Sequence, residues 1–131
     1  FVNVARILLA LPFIVFGLNY FIEFMPMPEH PAKAQAFLTA LNDTEFIFPI
    51  VKIIEISAGL MLLLGRFVPF ALVLLAPILI VIGGYHVFLD TAIEGQVIAV
   101  VVLGLELFLA AAYSKSFTGV LNPAARHRWS S

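Results

Sequence analysis

Residues 45–69 read EFIFPIVKIIEISAGLMLLLGRFVP, and this stretch decides the fold. Glu45–Leu64 is an apolar run of about twenty residues, the length a helix needs to cross a hydrocarbon core about 30 Å thick. Gly65 is the usual residue just past a helix C-terminus. Pro69 falls in the first turn of the next segment, where its missing N–H is harmless. So short a connection makes the two flanking helices antiparallel neighbours. Yet Lys52 and Glu55 sit inside the run. Ionisable groups at membrane depth are costly, so they point to a site rather than a plain wall.

The same pattern recurs on both sides. Val2–Phe24, Val68–Leu89 and Gly95–Tyr113 are three more apolar runs of about twenty residues. The expected class is all-α: an antiparallel four-helix transmembrane bundle, one domain over residues 1–121, with spans near 2–24, 45–64, 68–89 and 95–113. A short basic tail follows over 122–131. Composition agrees, since 63% of residues are hydrophobic and 11% charged, where an ordinary soluble domain has about 25% charged. The net charge of −1 gives no reason to expect nucleic-acid binding, and with no cysteine the chain has no thiol chemistry of its own. The first run is longer than a secretory signal and lacks an Ala-x-Ala-like site after it, so it is expected to stay as a span.

Charge sets the expected orientation. Arg6, Arg66, Lys115, Arg126 and Arg128 fall on one side, and Lys33 is the one loop cation on the other, beside Glu29, Asp43, Glu45, Asp90 and Glu94. The positive-inside rule then places both termini in the cytoplasm. In the longest loop, three prolines within Pro26–Pro31 forbid helix. Ala32–Leu41 follows with Ala34, Phe37, Leu38 and Leu41 at helical spacing, and reads as a short helix lying in the outer interface. Inside span three, Pro77 removes the donor for the Val73 carbonyl. Ala58, Gly59, Gly83, Gly84 and Gly104 are small enough to let helices approach closely.

Polar residues appear on all four spans. At a rise of about 1.5 Å per residue, Asn19 and His86 come out roughly 6–8 Å below the outer boundary and Lys52 roughly 10 Å below it. Glu55 and Glu106 come out roughly 15 Å deep, near the midplane. The inner halves are almost purely apolar, which suits a pocket open outward and closed inward. Lys52 and Glu55 are three apart, share a helix face and can pair. Glu106 then leaves one carboxylate in excess, and charge balance favours one proton held between Glu55 and Glu106. Both a static structural network and a ligand-binding or redox-coupled site fit these residues. A metal centre fits poorly. Carboxylate-bridged metal bundles place Glu-x-x-His on single helices, that spacing is absent, and Lys52 would repel a cation. No Gly-x-Ser-x-Gly motif and no dinucleotide fingerprint occurs.

Several segments together resemble the DoxX family of small four-helix membrane proteins. They are Gly17-Leu18-Asn19-Tyr20-Phe21, Met25-Pro26-Met27-Pro28, Ala36-Phe37-Leu38, Phe48-Pro49-Ile50-Val51-Lys52-x-x-Glu55, Ala58-Gly59-x-x-Leu62-Leu63-Leu64-Gly65-Arg66-Phe67, His86-x-Phe88-Leu89-Asp90 and the late Glu106. The resemblance runs over residues 4–121 and implies a bacterial inner-membrane protein. The family takes its name from a subunit of an archaeal quinol oxidase or thiosulfate–quinone oxidoreductase, so the resemblance implies membrane quinone or redox chemistry. Members often carry a Lys in the span-one motif, where this chain has Asn19 and Tyr20. The similar vitamin K epoxide reductase-like arrangement works through paired cysteines, which this chain lacks.

The leading expectation is therefore an accessory factor near a quinone, and at most a subunit of a membrane oxidoreductase. Asn19, Lys52 and His86 would donate to quinone oxygens, with Glu55 or Glu106 relaying protons. Tyr20, Phe21, Tyr85 and Phe88 would frame the ring. No intrinsic cofactor is expected, and electrons would come from another membrane subunit or a soluble redox partner. A purely structural subunit of a larger membrane complex is the alternative. A small-solute or proton-coupled transporter comes third, because the chain is short and shows no internal repeat.

Overall fold

The computed structural model describes residues 1–23, 30–124 and 126–129. Four helices are long and apolar enough to cross a membrane: α1 (Val2–Ile22), α3 (Ile47–Leu64), α4 (Val68–Phe88) and α5 (Ile93–Ala112). A fifth, α2 (Ala32–Asp43), is a short non-membrane helix between the first two spans, and a 3-10 turn, Ser114–Phe117, follows α5. The chain is thus an all-α four-helix bundle with an interfacial helix. The proline-rich expectation for Met25–Pro28 lies outside the described residues.

The helix ends have local causes. Glu45 takes a left-handed φ of 65°, so helix cannot run through it. Instead the Thr44 hydroxyl donates to the Leu41 carbonyl at 2.6 Å and accepts the Ile47 amide at 3.3 Å, which joins α2 to α3 and starts α3 at Ile47. At the other end of α3, Gly65 sits at φ 72°. The Gly65 amide bonds the Leu62 carbonyl at 3.3 Å and the Arg66 amide the Met61 carbonyl at 3.1 Å, the paired bonds of a Schellman ending. Residue 65 meets a second demand for glycine, because a Cβ there would overlap the Arg6 guanidinium from α1. That cation rests against the carbonyl end of α3, where the helix dipole favours positive charge.

Neighbour contacts run α1–α3–α4–α5 and back to α1, which closes a ring. Helices α3 and α5 are therefore diagonal. The α1–α3 seam is close because Gly59 faces α1: a Cβ there would come 2.7 Å from Ile14 Cγ1 and 3.3 Å from the Ala10 carbonyl oxygen. Gly84 and Gly104 do not share that role, since a Cβ at either would meet nothing within 4 Å. The buried apolar core holds Leu9 and Phe13 of α1, Leu62 of α3, Leu72, Leu75 and Leu79 of α4 and Leu109 of α5. It lies toward the end of the bundle that carries Arg6 and Gly65. Past Leu79, no residue of α4 is buried.

Candidate functional site

Three polar side chains from three different membrane helices are buried: Asn19 on α1 (5% exposed), Glu55 on α3 (4%) and Glu106 on α5 (8%). Lys52 Nζ donates to Glu55 Oε2 at 3.2 Å, within one face of α3. The antiparallel register sets their heights. Arg6 meets Gly65, Ala10 and Ile14 meet Gly59, and Gly17 meets Ile56 and the Lys52 carbonyl. The turn of α1 that carries Asn19 therefore stands level with Lys52. Across the ring, Gln96 of α5 bonds the His86 carbonyl of α4, and α4 follows α3 through the tight Gly65 turn. That register brings Glu55 and Glu106 to similar heights on diagonal helices. Among the described residues, Glu106 Oε2 is buried with no hydrogen-bond partner. A buried polar atom left in this state calls for an explanation, such as a proton, a water or a ligand.

His86 stands apart from the Lys52–Glu55 pair. It lines a cleft of about 250 Å³ between α4 and α5, together with Gly83, Val87, Gln96, Ala99, Val100 and Leu103. Its ring lies on the backbone of Gly95, where a Cβ would come within 2.5 Å of Nδ1. Nδ1 itself is buried without a hydrogen-bond partner among the described residues. Gln96 is a member of the cleft that hydropathy does not flag. Its signal was present, as the one amide in an otherwise apolar stretch of the last span. Among the described residues, no three His, Cys, Asp or Glu side chains converge as metal ligands.

The aromatic candidates separate into two groups. Tyr20 packs on Phe48 with ring centroids 5.9 Å apart and on Phe21 at 5.1 Å. Tyr85 belongs to a different neighbourhood, under α2. Its ring lies 6.1 Å from Phe37, 6.3 Å from His30 and 5.0 Å from His86. Phe21 and Phe88 stand 50% and 78% exposed, toward the outside of the bundle.

Tyr85 also marks a contact that sequence spacing did not suggest. His30 Nδ1 lies 3.0 Å from Asp90 Oδ2 and 3.1 Å from the Tyr85 hydroxyl. Asp90 Oδ1 accepts the Ala92 amide at 3.3 Å at the start of α5. The hydrogen bond from His30, helped by that amide, holds the Asp90 carboxyl below its ordinary value. The segment leading into α2 is thereby tied to the α4–α5 connection.

No curated protein and no solved structure matches the chain. A family profile described as DoxX matches residues 1–88, from the start of α1 to the end of α4. The matched part contains Asn19, Lys52, Glu55 and His86, and it stops short of Glu106. Four membrane-length helices embed the chain in a lipid bilayer, and with this match they support a bacterial inner-membrane location. With 88 of its 131 residues matched, the chain belongs to the DoxX family.

Proposed function

We propose that this protein is an accessory subunit of a membrane redox system that holds a quinone head group in the outer half of the bundle. The observation that carries this reading is Glu106 Oε2, buried without a hydrogen-bond partner among the described residues, in a span on the helix diagonal to Glu55. A carboxyl in that position is suited to hold and release a proton. A quinone, when bound, supplies two carbonyl oxygens that become hydroxyls on taking up two electrons and two protons. In this reading the candidate donors to such oxygens are His86 in the α4–α5 cleft and, apart from it, Asn19 and Lys52, and Tyr20 and Tyr85 are the less exposed of the aromatic candidates. The chain has no cysteine with which to pass electrons. Electrons are therefore assigned to a partner subunit or a soluble redox protein. In this reading both termini are cytoplasmic, on the side of Arg6, Arg66 and Lys115, as the positive-inside rule favours.

The alternative is a purely structural subunit. What favours it is that Lys52 and Glu55 already satisfy one another within one helix. Native mass spectrometry of the protein, released gently from its own membrane, separates the two. An adduct of quinone mass that is lost in Glu106→Gln supports the redox reading. A larger assembly with other chains and no small adduct replaces it with the structural one. The transporter reading has least support, because the Arg6 end of the bundle is filled by apolar core.

A further inference from the structure

We propose that the ligand of this protein enters sideways from the lipid and seats its head in the α4–α5 cleft, against His86 and Gln96, rather than descending from the outer aqueous face. The inference rests on the reading above and assigns its site. The cleft holds about 250 Å³, more than the roughly 150 Å³ of a cavity that takes a benzene ring. A second hollow of about 330 Å³ adjoins it along α5, shares Gln96 and Val100, and continues past Ile93, Val97 and Val101. Val97, Val100 and Val101 are exposed on the apolar surface that faces lipid. One hollow thus has a polar end, and its neighbour is almost wholly apolar. That pairing fits a molecule with a compact head and a hydrocarbon tail.

The polar end is held in place. Gly95 lets the His86 ring lie on the α5 backbone, and Gln96 Nε2 donates to the His86 carbonyl at 3.2 Å. His86 Nδ1 faces the Gly95 backbone, where it is buried without a partner among the described residues. The occupant is a neutral head rather than a phosphate, because the lining includes no Lys or Arg. A flat ring with carbonyl or hydroxyl oxygens meets these conditions. Glu106 lies on the same face of α5 as Gln96, Ala99 and Leu103, at intervals of three and four residues, so the cleft points along the helix toward the buried carboxyl.

Because the chain has no cysteine, a single Val100→Cys carries a bimane label without competition. The full chain in phosphatidylcholine nanodiscs is titrated with decylubiquinone, which quenches the dye on contact. Saturable quenching is expected at Val100→Cys, with only linear partition quenching at a Val73→Cys control. Gly83→Leu fills the cleft, because a Cβ at 83 already comes 3.1 Å from Leu103 Cδ1. It should abolish saturation. His86→Phe keeps an aromatic ring and removes both imidazole nitrogens, and should weaken binding about tenfold. Gly84→Leu, next along α4 with open space at its Cβ, should bind as the parent does and shows that an added side chain on α4 is tolerated. Unchanged saturation in both Gly83→Leu and His86→Phe overturns the cleft while leaving the quinone reading standing. Absence of any decylubiquinone adduct on the parent protein by native mass spectrometry overturns the quinone reading, and this seat with it.

Discussion

At the scale of single residues, Lys52 and Glu55 carry the sharpest expectation. Removing one partner of a buried pair strands the other charge, at a cost of about 3–5 kcal/mol. Replacing both with apolar groups removes the penalty along with the attraction. Lys52→Met should therefore lower the melting temperature in detergent far more than Lys52→Met with Glu55→Leu, and equal losses would rule the pairing out. The Asp90 contact makes a pH prediction. Its carboxyl lies below its ordinary 3.8 because His30 bonds the charged form. The stabilisation is thus complete above that ordinary value and is lost as pH falls through the lowered one. Between pH 5 and pH 3, the parent should lose more thermal stability than Asp90→Asn. The first of these pairs was legible in the sequence, because a spacing of three on one helix forces neighbours. The second was not, because His30 and Asp90 are sixty residues apart and only the closed fold brings them together.

At the scale of elements, the Gly65 turn is the most constrained junction. Ala at position 65 must hold φ near 72° and displace the Arg6 guanidinium. Strain of this kind costs about 1–3 kcal/mol. Gly65→Ala should lower the unfolding midpoint in detergent, and by less in an Arg6→Ala background, since the overlap is then gone while the backbone strain stays. Glu45 is the reverse case, a non-glycine residue held at φ 65°. Glu45→Gly should raise the unfolding free energy by up to about 1 kcal/mol, seen as a higher midpoint. The Gly65 ending could be read from Leu-Gly-Arg alone, since local chemistry dictates it. Why α3 starts at Ile47 rather than Glu45 could not, because the Thr44 bridge and the left-handed Glu45 carry no hydropathy signal. The packing roles expected of Gly84 and Gly104 failed for a related reason. Composition says that a residue is small, and only the seam says whether another helix passes over it.

At the scale of the whole molecule, the number and length of the spans were plain from hydropathy. The ring order that makes α3 and α5 diagonal, and so sets Glu55 and Glu106 on opposite helices, depends on side-to-side packing that a linear pattern does not record. The α4–α5 cleft was invisible for the same reason. Orientation is tested with the natural absence of cysteine: Lys33→Cys should react with a membrane-impermeant maleimide in intact cells, and Arg66→Cys only after lysis. The reverse pattern would invert the proposed topology. The spans also differ in length. Helix α3 has 18 residues where α1 and α4 have 21. At about 1.5 Å per residue it reaches roughly 27 Å, a few ångströms short of a typical hydrocarbon core. Its Ile47 end is tied to α2 through Thr44, so the surrounding bilayer must thin locally toward α2. The protein should then be sensitive to acyl-chain length and melt at a higher temperature in thin bilayers than in thick ones. Membrane thickness would act as a parameter of its stability alongside pH and temperature.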